Sequence, residues 1–205
     1  ATGNVDAENC CAGGLSGWIE NLGSFSSTVE NSYATGDVNA RDCCGGGFAG
    51  WIEDDTVVKD SYATGDVYSE SCCSGGFAGW VDEGAEVHDS YATGDVTELG
   101  CCGGGFLGGI WGGTVTGSFS TGDVQGENDY IGGFAGDIDN EFSGVVSRNI
   151  ATGDVTASNG VWVGGFAGSI GELYVSNVTE SAATGNVEST DDIVGGFVGN
   201  MEKGE

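Results

Sequence analysis

The sequence predicts an all-β chain wound as a parallel β-solenoid of about six to seven rungs, with 28–33 residues per rung, and three observations carry that reading. First, the tetrad Thr-Gly-Asp/Asn-Val begins at Thr2, Thr35, Thr64, Thr93, Thr121, Thr152 and Thr184, spaced by 33, 29, 29, 28, 31 and 32 residues. Second, a block reading Gly-Gly-Phe-Ala-Gly, or a near variant, begins at Gly13, Gly46, Gly75, Gly104, Gly132, Gly164 and Gly195 and keeps step with the tetrad. Third, apolar residues recur at even spacings within each unit, as strands showing one face to a core require. A unit of about three short strands cannot bury that face alone, so the units stack. Rungs roughly 4.8 Å apart give a rod on the order of 30 Å long. A β-propeller blade usually needs some 40 residues or more, which favours the solenoid.

Taken in chain order, the columns say which side chains point inward. The valine ending the tetrad never varies: Val5, Val38, Val67, Val96, Val124, Val155 and Val187. The glycine block supplies Leu15, then Phe48, Phe77, Phe106, Phe134, Phe166 and Phe197. Four places further come Ile19, Ile52, Val81, Ile110, Ile138, Ile170 and Met201. A third strand carries Val29, Val58, Val87, Val115, Val146 and Val178, followed four residues later by Tyr33, Tyr62, Tyr91, Phe119, Ile150 and Ala182, which the even spacing also sets on the core side. No segment sustains a 3.6-residue period, and the punctuation is Gly, Asn, Asp and Ser, so helix beyond a turn is not expected.

Composition narrows the function. The 205 residues hold 42 glycines and no proline, which excludes a collagen helix. Lys plus Arg is 4 against Asp plus Glu 32, a formal charge of −28 that would repel nucleic acid and anionic membrane faces. Hydrophobic residues at 39% and aromatics at 10%, regularly placed, argue against disorder. No apolar run reaches the length of a membrane span, so no membrane insertion is expected. The chain opens without an initiator Met or a leader, which is the expectation for a processed protein or an excised segment. Residues 1–205 read as one repeat domain, with Cys- and Trp-bearing rungs over 1–120 and Cys-free rungs over 121–205.

The run Asp60-Ser61-Tyr62-Ala63-Thr64-Gly65-Asp66-Val67, followed by Gly75-Gly76-Phe77-Ala78-Gly79, resembles the GLUG repeat of bacterial and archaeal surface proteins, including adhesins and some large secreted peptidases. The resemblance covers essentially the whole chain, with Phe where the family usually has Leu. It implies a repeat region of an exported cell-surface protein without catalysis of its own.

All eight cysteines form adjacent pairs: Cys10 with Cys11, Cys43 with Cys44, Cys72 with Cys73, and Cys101 with Cys102. Adjacent side chains on a strand diverge, so Cys11, Cys44, Cys73 and Cys102 are expected inward and Cys10, Cys43, Cys72 and Cys101 outward as a surface column. Rung-to-rung disulfides within a column need only small adjustment; adjacent-residue bridges are strained, and buried free thiols or a thiolate metal site are the alternatives. Disulfides would place the protein in an oxidising, extracellular setting.

Trp18, Trp51 and Trp80 follow the glycine block, with Trp111 two places further on in its unit. Their parity is opposite to the Phe column, so they are expected outward, either covered by other chain, in contact with a second copy, or stacking on sugar rings. Asp37, Asp66, Asp95, Asp123 and Asp154 form one column ending in Asn4 and Asn186. These carboxylates either cap turns in solvent or bind cations such as Ca2+, and no other cofactor is implied. The single histidine, His88, aligns with Glu30 and Lys59 and supports no Ser-His-Asp or Cys-His set, so an enzyme is not expected. The reading is a structural β-solenoid of the cell surface, disulfide-stiffened, stacking end to end with copies of itself into a fibre or forming an adhesin stalk within a longer protein. The alternative is a solenoid that binds glycan or ice through its Trp or Thr row.

Overall fold

The computed structural model describes residues 1–23, 26–42, 44–70, 72–82, 84–127, 129–139, 144–159, 162–171, 176–190 and 193–202, none of which is helical. Each coil contributes five short strands, where the sequence suggested three. In one coil these are Val67–Ser69, Ser74–Gly75, Ala78–Asp82, Glu86–His88 and Tyr91–Ala92. Equivalent strands of successive coils pair in parallel and in register, giving sheets of seven, seven, seven, six and six strands in the order the coil visits them. Val67 pairs with Val38 and Val96, and Tyr62 with Tyr33 and Tyr91, so each sequence column becomes a physical column.

The core has two lobes. The first two sheets enclose Val38, Val67, Val96, Val124 and Val155 with Ile131 and Val163. The other three enclose the larger lobe, built on Phe48, Phe77, Phe106, Phe134 and Phe166 with the Ile52 and Val58 columns. Phenylalanine rings of adjacent coils stack face to face from Phe48 to Phe197, with centroids 4.7–5.0 Å apart, which is the coil rise itself. Each such pair contributes roughly 0.5–1.5 kcal/mol beyond the area it buries.

One column is turned the other way. Tyr33, Phe119 and Ile150 are exposed, and Tyr62 and Tyr91 are half-buried, whereas Ala34, Ala63, Ala92, Ser120 and Ala151 are fully buried. The residue two places after the valine takes a left-handed backbone, with φ of 52° at Asn31, 51° at Asp60, 47° at Asp89 and 67° at Gly117. Asn, Asp and Gly adopt this region most readily. That bend advances the alternation by one residue: the following Ser61, Ser90, Ser118 and Asn149 point in, and the aromatic residue points out. The inward hydroxyls form their own ladder, with Ser61 N–H donating to Ser90 Oγ at 3.2 Å and Ser118 N–H to Asn149 Oδ1 at 2.9 Å. The outward rings stack at 4.9–5.2 Å from Tyr33 through Tyr62 and Tyr91 to Phe119.

Candidate functional site

Three columns of chemically distinctive side chains run up the solenoid. The first is sulfur. Cys44, Cys73 and Cys102 are buried as expected, Cys11, Cys72 and Cys101 are half-buried, Cys10 is exposed, and Cys43 lies outside the described residues. Burial does not place them among the valines and phenylalanines, because Cys44, Cys73 and Cys102 belong to neither apolar lobe. Instead Cys44 packs over the third sheet at Gly79, whose missing side chain makes the room.

Two expectations about these pairs are corrected. Adjacent cysteines do not diverge: Cys102 Sγ donates to Cys101 Sγ at 3.2 Å. Cys101 sits in a bend and only Cys102 enters the strand Cys102–Gly104, so strand alternation does not govern the pair. The short contacts between coils run diagonally rather than within a column, with Cys44 Sγ 3.2 Å from Cys72 Sγ and Cys73 Sγ 3.3 Å from Cys101 Sγ. Hydrogen bonds from Cys44 and then Cys73 hold the Cys72 thiol well below its usual range, and Cys102 and Cys73 do the same for Cys101. Their partners move oppositely: bonds to Cys101, Cys102 and Cys72, together with burial, push Cys73 up. Cys73, Cys101 and Cys102 bring three sulfurs within 4.8 Å of one another, the one all-cysteine set among the described residues compact enough to surround a metal ion.

The second column is tryptophan, and it faces outward as its parity predicts. Trp18 is exposed and Trp51 and Trp80 are half-buried by one another: Trp18 stacks on Trp51 with centroids at 5.6 Å, and Trp51 leans on Trp80 at 6.3 Å. Trp18 Nε1 donates to Glu53 Oε1 at 2.9 Å. The row ends at Trp80, because its ring lies over Gly109, where a Cβ would come within 2.4 Å of Cζ3. Trp111 is exposed but pairs in register with Asp82, two positions away from the row.

The third column is the carboxylate ladder. Each aspartate serves the next coil rather than its own turn: Asp37 Oδ1 accepts Asp66 N–H, Asp66 accepts Asp95, Asp95 accepts Asp123 and Asp123 accepts Asp154, at 2.8–3.1 Å. Asn4 Oδ1 accepts Asp37 N–H, and Asp154 Oδ1 accepts Asn186 N–H, so neutral amides close the column at both ends. Asp37, Asp66 and Asp95, with Asn39, Tyr68 and Thr97, line an open groove of about 610 Å³. Because the ladder needs an acceptor and not a charge, Asp95→Ala is expected to cost about 1 kcal/mol. Asp95→Asn should stay within about 0.5 kcal/mol of the parent, and gain at low salt, by lessening like-charge repulsion. Urea midpoints at low and high salt check this; an Asn variant as damaged as the Ala variant would refute it.

One buried residue escaped the sequence reading. Glu98 is 0% exposed in the smaller lobe, where Ser74 Oγ donates to its Oε2 and Gly100 N–H to its Oε1 at 2.6 Å. Burial pushes its carboxyl up to about 7. The signal was present in the alignment of units, as a lone acid two residues past the valine in a column otherwise holding Ala7, Ala40, Ser69, Gly126, Ala157 and Ser189.

Comparison with known families places the GLUG motif on residues 8–39, 42–68 and 70–97. No curated protein matched the chain. The three matched stretches cover the coils that carry Trp18, Trp51 and Trp80, and the same coil geometry continues beyond them to Met201. GLUG repeats on a β-solenoid fit a structural repeat protein.

Proposed function

We propose that this β-solenoid, with GLUG repeats over residues 8–97, is a non-catalytic module of the cell surface that stacks end to end into an extracellular rod or fibre. The observation that carries the reading is the contrast between inner and outer coils. Val163 and Ile170 are buried, yet their column neighbours in the last coil, Val194 and Met201, are 45% and 57% exposed, and Leu15 at the other end is 39% exposed. A coil stacked above or below, whether from a second copy or from more of the same chain, would cover such residues and pair the strand edges, as the inner coils do for Val163 and Ile170. The carboxylate ladder suits such a join, since Asn4 and Asn186 terminate it without charge, Asn186 carrying an amide oxygen that can accept and Asn4 a backbone N–H that can donate in the ladder's direction.

The tryptophan row fits a scaffold better than a sugar platform, because the rings of Trp18, Trp51 and Trp80 turn their faces to one another. The clustered cysteines, if oxidised, suit an oxidising, extracellular setting. Electron microscopy of the purified protein tests the reading. Fibres with an axial repeat of roughly 30 Å or its multiples are expected. Short single rods at every concentration and salt would overturn end-to-end assembly.

A further inference from the structure

The sulfur strip carries an inference beyond stacking. We infer that the coils are joined by diagonal disulfides, Cys44 to Cys72 and Cys73 to Cys101, each linking the second cysteine of one coil to the first of the next, with Cys102 remaining a thiol. This rests on the reading of the protein as an oxidised extracellular scaffold and names the bonds that stiffen it.

Three observations select these pairs. Among the described residues the same contact occurs twice, between residues 28 apart, at 3.2 and 3.3 Å, as a repeated bond in a repeated structure must. Two thiolates sharing a tetrahedral metal at 2.3 Å stand about 3.8 Å apart, so these sulfurs are already closer than a shared ion would hold them. Among the described residues the compact three-sulfur set forms once, at Cys73, Cys101 and Cys102, whereas a device built into the repeat should recur. The vicinal contact of Cys101 with Cys102 is as short, but bridging neighbours closes a small ring through the peptide and strains it.

The exposure of each pair also fits the chemistry. Cys72 and Cys101 are half-buried and reachable, while Cys44 and Cys73 are buried behind them. With an oxidised small-molecule disulfide such as glutathione disulfide as oxidant, the Cys101 thiolate attacks one sulfur and expels one thiolate. Cys73 then loses its proton to that leaving thiolate and attacks Cys101 Sγ. The second small-molecule thiolate leaves and takes up the Cys101 proton from solvent. Two protein thiols become one disulfide, and one oxidant disulfide becomes two thiols.

The test is alkylation mapping of the folded chain after exposure to glutathione disulfide, acid quenching and unfolding. In the parent, Cys44, Cys72, Cys73 and Cys101 should be blocked and Cys102 alkylated. In Cys72→Ser, Cys44 alone of the remaining blocked residues should become alkylated, with Cys73 and Cys101 still joined. Pairing within columns would release Cys101 instead, and vicinal pairing would release Cys73; either overturns the assignment. So does full alkylation of the parent, or protection reversed by a chelator instead of a reductant. Cys101→Ser gives an independent check, releasing Cys73 and leaving Cys44 joined to Cys72. Wrong pairing would leave the microscopy of fibres untouched, and loss of fibres would leave the pairing untouched, so the two readings fail separately.

Discussion

Gly122→Ala is expected to be among the most damaging single substitutions in this chain, while the same change at Gly3, in the same column, should leave the stability of the single, unassembled chain unchanged. A Cβ on Gly122 would lie 1.9 Å from the carbonyl oxygen of Gly94 and 2.5 Å from its carbon, whereas a Cβ on Gly3 meets nothing within 4 Å. The obstructing atoms are backbone, so no side chain can swing aside. Relief requires parting two coils by an ångström or more, which stretches Val96 N–H to Asp123 O at 2.9 Å and Asp123 N–H to Asp95 Oδ1 at 2.9 Å together. The cost should fall in the tail of single-mutant effects, at about 4 kcal/mol or more, against less than about 0.5 kcal/mol for Gly3→Ala. Chemical denaturation followed by circular dichroism measures both. Matching midpoints for the two variants would show that the coils can slip apart without penalty, and the close-approach argument would fall.

That pair also explains how much of the fold could be read in advance. The glycine of the tetrad, its valine and the phenylalanine of the glycine block repeat because every coil meets its neighbour through the same contacts, and those columns were legible as a solenoid core. The aromatic column at Tyr62 was not, because its parity depends on a left-handed backbone at Asp60 that a count of even spacings does not register. The cysteine pairs were misread for a related reason. Strand alternation was applied to Cys101 and Cys102, but the second-sheet strands are two or three residues long, and the pair straddles the bend that begins one of them. Where strands are this short, the turns between them decide which way a side chain faces. The aspartate column was recognised as a column, yet only the stacked coils reveal that each carboxylate accepts from the coil beyond it.

Glu98→Gln should stabilise the protein at pH 8 by about 3 kcal/mol and change nothing at pH 4, so that the difference between variant and parent itself titrates. The carboxyl ordinarily titrates at 4.5 and is pushed up to about 7 in the folded chain, first by burial, against the opposing donors Ser74 Oγ and Gly100 N–H. The folded state therefore holds this proton more tightly than the unfolded state. Below pH 4.5 both states are protonated and the residue is a neutral acid in a small apolar lobe. Between 4.5 and 7 the unfolded chain ionises first and stability falls; above 7 both are ionised and the full desolvation cost is present. Glutamine keeps the volume and an acceptor for Gly100 N–H, while the Ser74 hydroxyl can rotate to accept from the new amide. All other carboxylates are common to both proteins and cancel in the difference. Cys101, the nearby thiol that adds to the upward push, is kept reduced in both proteins, so its own titration is common to both. Urea denaturation of both proteins from pH 4 to pH 8 gives the difference directly. A flat difference across that range, or a glutamine variant less stable at pH 8, would mean that Glu98 keeps its charge in the fold at no cost and that its burial in the smaller lobe is not what sets its titration.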